Sequence, residues 1–316
     1  MNESRQHRWS GEVTPADAGK RLDLFLTAIV PGTSRKAVKK ALDAGQVFVD
    51  GRVERRAGRL LIVGETLLAT VAVTIQKTVP RSLPLTILYR DSELLAVDKP
   101  SGWPVHRTDA GADNVLDAVT DLLKRTEPEL TPILLHRLDA ATSGVLLFAL
   151  NASANLVLGR QFAERRLRKF YLALVAGSPP AEFAVDDLLR TGVRGRTVRV
   201  ANGGKPAQTA FRTLATADGM ALVLAQPKTG RTHQIRAHLS AEGYPLLGDR
   251  LYGGPDTITT SDGQRLTASR HKLHAVQVDF EHPLDGHPCC LQAPVPSDFL
   301  PFLTRLDVSP DSLTSF

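Results

Sequence analysis

The sequence predicts an α+β protein: a large domain on a mixed, mostly antiparallel sheet with flanking helices, preceded by a small helix-turn-helix plus hairpin module. Three observations predict it. Short apolar runs, among them YLALVAG, FRTLATA, MALVLAQP and KLHAVQVDF, recur along the second half with only short helical stretches between them. Near the start, two one-faced helical periods are followed by a turn signal at Asp50-Gly51. The 316 residues also exceed the roughly 100 to 200 typical of one domain.

Residues 1–15 are polar and read as a loose tail. A first module spans 16–75. In RLDLFLTAIV, the apolar residues Leu22, Phe25, Leu26 and Ile29 share one helical face, and Pro31-Gly32 ends the helix. Ser34 is placed to cap a second helix, RKAVKKALDAG, with Val38, Ala41 and Leu42 inward. Arg35, Lys36, Lys39 and Lys40 share its outer face, and Gly45 closes it. QVFVDGRVE then alternates around Val47 and Val49 and turns at Asp50-Gly51 as a hairpin.

Residues 76–85, with two prolines and no periodicity, read as a linker to a domain at 86–310. ILYRDSELLAVDKPSG predicts a hairpin turning at 90–92 and stopping at Lys99-Pro100. DNVLDAVTDLLKR predicts an amphipathic helix through Val115, Val119 and Leu122. PILL and VLLFAL read as two buried strands, and between them stands the polar loop HRLDAATSG. After a helical SANLVLGRQFAERR, the strands named above complete the sheet.

Charge is distributed unevenly. The formal net charge is +6, and Ala18–Gly64 alone carries it: ten basic residues (Lys20, Arg21, Arg35, Lys36, Lys39, Lys40, Arg52, Arg55, Arg56, Arg59) against Asp23, Asp43, Asp50 and Glu54. Such a face suits a polyanion, because each cation placed at a phosphate releases condensed counterions; a solvated charged surface would read the same way. The only cysteines are the neighbours Cys289 and Cys290, which give neither a disulfide framework nor a metal spacing. No apolar run reaches the roughly 18 residues a membrane span needs, and the N-terminus lacks a signal-peptide pattern. The expected setting is cytoplasmic, away from any membrane.

Two segments carry candidate chemistry. In HRLDAATSG, the residues His136, Arg137, Asp139, Thr142 and Ser143 sit on one loop held between core strands, a position suited to catalysis and also to a purely structural turn. In PKTGRTHQIRAHLSAEG, Arg231, His233, Arg236 and His238 crowd the start of a helix predicted to begin at Thr232. An ionised Asp139 shielded from water needs a fixed cationic partner, and Arg236 is a bidentate donor of the right kind. Phosphate binding or surface charge fits the same spacing.

The ordered set DKPSG (98–102), HRLDAATSG (136–144), KFYLALV (169–175), GGKPAQT (203–209), GRTHQIRAHL (230–239), GDRLYGG (248–254) and KLHA (272–275) resembles the RluA family of RNA pseudouridine synthases. The resemblance covers residues 86–300. The basic module at about 18–66 similarly resembles the RNA-binding module named after ribosomal protein S four, which commonly precedes that catalytic domain. By this resemblance Asp139 is the essential aspartate and Arg236 its salt-bridge partner. Tyr171 would stack on the target base and offer its hydroxyl near the reacting carbon, and Arg137 would help displace the uridine from its stack or fill the space it leaves. The partner implied is RNA, large-subunit ribosomal RNA first and transfer RNA as the alternative; no protein partner is implied.

Pseudouridine formation breaks the bond from C1′ to N1, turns the base and rejoins it through C5, with no redox change and no water consumed, so no cofactor is expected. The carboxylate either attacks C1′ or removes a proton from C2′, and the sequence leaves both routes open. Gly203-Gly204-Lys205 lacks the upstream glycine and the Ser or Thr of a phosphate loop. Ala141 stands where a nucleophile elbow needs glycine, which speaks against a hydrolase built on His136, Asp139 and Ser143. No HExxH or Cys/His spacing points to a metal, and Trp9 and Trp103 read as packing residues. Beside the synthase stand an RNA-binding or remodelling factor without turnover and, far behind, a serine hydrolase.

Overall fold

Residues 3–12, whose polarity suggested a loose tail, form a strand instead. In the computed structural model, which describes residues 3–30, 33–75, 83, 85–107, 113–192, 195–313 and 316, the chain divides into two units: Met1–Arg81 with Arg107–Ala112, and Ser82–His106 with Asp113–Phe316. The first unit runs β1 (Glu3–Glu12), α1 (Leu22–Ile29), α2 (Arg35–Asp43), β2 (Val47–Val49), β3 (Arg52–Val53) and β4 (Thr66–Ile75). Its sheet has the order β1-β4-β2-β3, with β1 antiparallel to β4 from Glu3↔Ile75 to Glu12↔Thr66. An edge strand is held by its main-chain ladder, so it needs little apolar alternation of its own. Trp9 packs edge-on to Phe25 at 5.8 Å between ring centroids.

Ser34 caps α2, its side chain accepting from the Ala37 amide at 3.2 Å. Val38, Ala41 and Leu42 are buried with Leu22, Phe25 and Leu26 of α1 and with Val47 and Val49. Asp50 and Gly51 both adopt positive φ, 47° and 75°, which closes the β2–β3 hairpin. The predicted linker at 76–85 lies almost wholly outside the described residues.

The second unit runs β5 (Thr86–Arg90), β6 (Leu94–Lys99), α3 (Val115–Lys124), β7 (Ile133–Leu134), β8 (Ser143–Ala149), α4 (Ala152–Ala163), β9 (Arg168–Ala176), β10 (Glu182–Thr191), β11 (Thr197–Arg199), β12 (Lys205–Ala217), β13 (Met220–Pro227), α5 (Gln234–Ala241), β14 (Thr257–Thr259), β15 (Arg265–Thr267), β16 (Leu273–Glu281), β17 (Pro288–Gln292) and α6 (Leu300–Arg305). Eleven of these strands form one sheet, ordered β11-β10-β12-β13-β9-β16-β8-β6-β5, with β17 paired to β16 and β7 to β8. Its pairings are antiparallel except where β16 meets β8 in parallel, at His274↔Ser143 and Ala275↔Gly144. At that junction a side chain on Gly144 (φ 112°) would put its Cβ 2.1 Å from the Ala275 carbonyl oxygen, so only glycine fits.

Both faces of the sheet are covered, which is why β8 and β13 read as continuous apolar runs. On one face Leu146, Phe148, Tyr171, Ala173 and Val223 pack with Val115, Val119 and Leu123 of α3 and Ile235 and Leu239 of α5. On the other, Leu172, Leu174 and Leu222 pack with Phe302 and Leu303 of α6. The i, i+4, i+8 row on α3 turns Leu123 to the core and leaves Leu122 half-buried, correcting the predicted face. β7 is shorter and more exposed than its apolar sequence suggested. Trp103 packs against the first of these cores. Among the described residues no helix is long and apolar enough to cross a membrane.

Candidate active site

Residues 135–142 carry Asp139 across the sheet end and into β8, and nearly every residue around the aspartate is tied down. The Asp139 carbonyl accepts from the Thr142 amide at 3.0 Å. The Ala140 carbonyl accepts from the Gly102 amide at 2.8 Å and from Lys99 Nζ at 2.9 Å. Arg270 Nη1 donates to the Ala141 carbonyl at 2.7 Å while Nε and Nη2 grip Asp298 at 2.8 and 3.0 Å. Thr142 Oγ1 lies 2.9 Å from His271 Nε2, and Ser143 Oγ 2.9 Å from His274 Nδ1. Main-chain ties of this kind fix a functional side chain better than packing alone.

Lys99 is fully buried, and its ammonium also donates to the carbonyls of Pro100 and Trp103, each at 2.8 Å. Three accepting oxygens use all three ammonium protons. Burial first, and then the Arg270 charge, pull its pKa down to about 7, with Asp139 and Asp98 acting the other way. The sequence offered Lys99 as part of a stop signal and of the DKPSG segment, without marking it as an anchor of the Asp139 loop; the informative feature was a lysine closing the strand LLAVDK.

The Asp139 carboxylate is half-buried and meets Arg236, whose Nη1 donates to Oδ2 at 2.9 Å. Arg236 is buried on α5, and its Nε and Nη2 are held by Asp249 at 2.7 and 2.8 Å. Its guanidinium carbon lies 5.0 Å from the Tyr252 ring centroid. Burial opposes the Arg236 charge, but the carboxylates of Asp249 and Asp139 outweigh it and raise the pKa above the usual value. The Tyr252 hydroxyl accepts from the Thr197 amide at 2.8 Å and sits 3.2 Å from His233 Nδ1. His233 Nε2 in turn lies 3.8 Å from Asp139 Oδ1, and burial lowers its pKa.

The helix carrying Arg236 begins at Gln234, two residues later than predicted. His233 is in the left-handed region (φ 54°) and makes no side-chain cap. Gln234 organises the turn instead: its Oε1 accepts from the Arg231 amide at 3.0 Å and from Thr229 Oγ1 at 2.6 Å. Asp249 follows Gly248, whose Cβ position would fall 2.1 Å from the Arg270 carbonyl oxygen, and this close approach sets the loop holding the carboxylate under Arg236. Asp249 was contained in the GDRLYGG segment, but nothing in its spacing marked it as the second anchor of Arg236.

Tyr171 lies on β9 between Ala225 of β13 and Ala275 of β16. It is buried, and burial followed by the Asp139 charge pushes its phenol pKa above the ordinary value, so phenol and carboxylate share one electrostatic neighbourhood. Arg137 is exposed; burial, and then the Arg137 charge, lower the pKa of His106, whose Nδ1 is buried with no partner among the described residues. His136 points elsewhere: its Nε2 accepts from the Leu147 amide at 3.1 Å and burial, then Lys169, lowers its pKa to about 3. With Ser143 bound to His274 and to Arg270 Nη2, at 2.9 and 3.1 Å, no Ser-His-Asp relay forms on this loop.

On the first unit, Lys36, Lys39 and Lys40 are exposed and make no ion pair among the described residues. Arg35 differs, its Nη2 being 2.8 Å from Asp23, which also binds Arg21. Arg56 and Arg59 are likewise paired, with Glu54 at 3.1 and 3.0 Å. Among the described residues one group could hold a metal ion, His282, Asp285 and His287 at the β16–β17 turn, and it shares no residue with the Asp139 cluster.

A family model described as RNA pseudouridylate synthase matches residues 93–241, a span that holds Lys99, Asp139, Tyr171 and Arg236. The ribosomal large subunit pseudouridine synthase D of Xanthomonas campestris pv. campestris is 32% identical over 305 residues, covering 93% of this chain and 91% of that protein. This chain belongs to the RNA pseudouridylate synthase family. It is an RNA pseudouridine synthase, an isomerase acting on RNA. The protein of the same name from Nitrosomonas europaea is 32% identical and covers 99% of this chain and 92% of its own length. Among solved structures, Human RNA Pseudouridylate Synthase Domain Containing 4 is similar at a TM-score of 0.57 and 28% identity, over 71% of this chain and 93% of that one.

Proposed function

We propose that this pseudouridine synthase acts on specific uridines of structured large-subunit ribosomal RNA, with Asp139 as its reacting carboxylate. The observation carrying the reading is the single Arg236 contact: a half-buried carboxylate with one oxygen on a clamped guanidinium and the other facing His233 at 3.8 Å. A carboxylate so held is aimed at a ligand rather than spent on structure. The large-subunit assignment takes its support from the names of the relatives, each covered along most of its length.

The target uridine leaves its stack, at a cost of a few kcal/mol that phosphate contacts and stacking on the Tyr171 ring offset. Arg137, exposed at the lip beside His106, fills the space vacated. Asp139 then attacks C1′ or takes the C2′ proton; the base separates from the sugar, turns and rejoins through C5, and the C5 proton leaves by way of the Tyr171 hydroxyl. The first unit is an S-four-like RNA grip, with Lys36, Lys39 and Lys40 on phosphates and Arg35 contributing less because Asp23 already holds it at 2.8 Å.

The test is a pseudouridine map of total RNA from cells with and without the gene, complemented by wild type or Asp139→Asn. Large-subunit sites that vanish and return only with wild type are the expected result. Sites in transfer RNA alone would replace the substrate assignment, and rescue by Asp139→Asn would overturn the role of the carboxylate.

A further inference from the structure

Between the end of α4, the start of β9 and the β13–α5 turn lies a cavity of about 300 Å3 whose wall includes Phe162, Arg165, Lys169, Lys228, Thr229 and Arg231, with four cations and no acidic residue in its lining. We propose that it is a phosphate subsite, taking a phosphodiester of the bound RNA next to the target nucleotide. This deepens the RNA reading above and rests on it.

The pattern of pairing separates this wall from an ordinary basic surface. Arg166 and Arg168, neighbours in sequence but absent from the lining, are matched with acids: Arg166 with Glu164 and Glu281 at 2.8 and 2.7 Å, Arg168 with Asp279 at 2.9 Å. The four cavity cations have no ion-pair partner among the described residues. Arg231 spends its Nε on the Pro206 carbonyl at 3.0 Å, which fixes the guanidinium plane and leaves the terminal nitrogens to a ligand. Lys169 is half-buried, its Nζ 5.8 Å from the Phe162 ring centroid and 3.9 Å from where a Gly230 Cβ would stand. Burial lowers its pKa, as expected of an ammonium awaiting an anion.

The spacing also fits. Lys169 and Tyr171 lie two residues apart on β9 and so share a face, separated by roughly 6.6 Å of strand, about the reach of one nucleotide. The His136 ring lies 5.5 Å from that of Phe162, and Asp139 follows three residues later on the same loop. A chain whose target base stacks on Tyr171 therefore brings a neighbouring phosphate to this wall. A planar donor and three ammonium or guanidinium groups then supply charge-assisted hydrogen bonds to its oxygens.

The full-length enzyme with a large-subunit RNA fragment containing a converted uridine provides the test. Arg165 has φ 59°, a conformation asparagine tolerates, so Arg165→Asn/Lys228→Gln alters exposed residues without disturbing the fold. Lys169→Met is the second variant. Each should bind RNA about tenfold more weakly, flatten the salt dependence by about 0.7 to 0.9 per lost phosphate contact, and keep the single-turnover rate at saturating enzyme within about twofold. Unchanged affinity and slope in both variants, with the wild type converting the fragment, would overturn the subsite. If the wild type fails to convert it, the substrate reading is at fault; inorganic phosphate alone then tests the wall, and phosphorus-NMR line broadening equal in wild type and variants overturns it, whereas broadening lost in the variants upholds it.

Discussion

Arg236 meets Asp139 with one nitrogen because its other two donors belong to Asp249: Nη1 reaches Asp139 at 2.9 Å while Nε and Nη2 hold Asp249 at 2.7 and 2.8 Å. The guanidinium is thus a fixed strut with a free end. A lysine has the charge but not the fork, so it cannot serve both carboxylates. Arg236→Lys should lower single-turnover conversion on the order of 10^2-fold while leaving RNA affinity nearly unchanged. Wild-type rates in this variant would show that the strut does not aim Asp139.

Tyr171→Phe separates ring from hydroxyl. Affinity should hold, since the stacking surface remains, while conversion drops by about 10^2-fold, the usual worth of a positioned proton-transfer group. Tyr171→Ala should lose affinity as well, by about 1 to 3 kcal/mol. Full turnover in the phenylalanine variant would remove the hydroxyl from the mechanism.

Lys99 binds three carbonyls from a fully buried position. Lys99→Met keeps the bulk and strands those oxygens, so urea unfolding should report a loss of about 2 to 4 kcal/mol. Conversion at saturating RNA should fall roughly tenfold, because the Ala140 carbonyl anchors the loop bearing Asp139. A variant as stable and active as wild type would show that the loop holds itself.

Replacing Lys36, Lys39 and Lys40 together by alanine should weaken RNA binding and flatten its salt dependence by up to about one unit per lost contact, without changing the rate at saturation. An unaltered slope would mark this face as solvated only.

Four histidines of the second unit are held below their ordinary pKa by burial: His136 to about 3, and His238, His271 and His274 to about 4. An unfolded chain protonates them near pH 6.5, whereas the folded one does not until pH 4 or lower. The unfolded state therefore binds more protons in that window, and stability is present above about pH 6.5 and lost as pH falls toward 4 and then 3. Thermal midpoints measured from pH 7.5 down to 4.5 should hold to about pH 6.5 and decline below it; a flat profile would contradict neutral buried imidazoles.

The sheet was legible because strands covered on both faces leave long apolar runs, as at Val145–Leu150 and Met220–Ala225. Asp139 was legible as a candidate because polar side chains interrupt those runs abruptly at HRLDAATSG, whereas Tyr171 entered only through the family resemblance. What stayed hidden depends on main-chain geometry or on distant partners. β1 is held by its ladder to β4, which polar side chains do not advertise. The start of α5 depends on a left-handed His233, and Asp249 finds Arg236 across 13 positions of sequence. The charge excess at Ala18–Gly64 overstated the free basic face, because Asp23 and Glu54 neutralise several arginines locally.

The glycine junction between β8 and β16 carries a lesson for redesign. Asp139 leads into β8, Tyr171 rides on β9, and β16 lies between them, so carboxylate and phenol are gauged by two inter-strand steps of about 4.8 Å each. That gauge is cut into the backbone, where a methyl group at Gly144 already collides with a carbonyl. The rim can therefore be rewritten, its loops lengthened or recharged to greet another RNA, while the distance at which the chemistry is done stays the same.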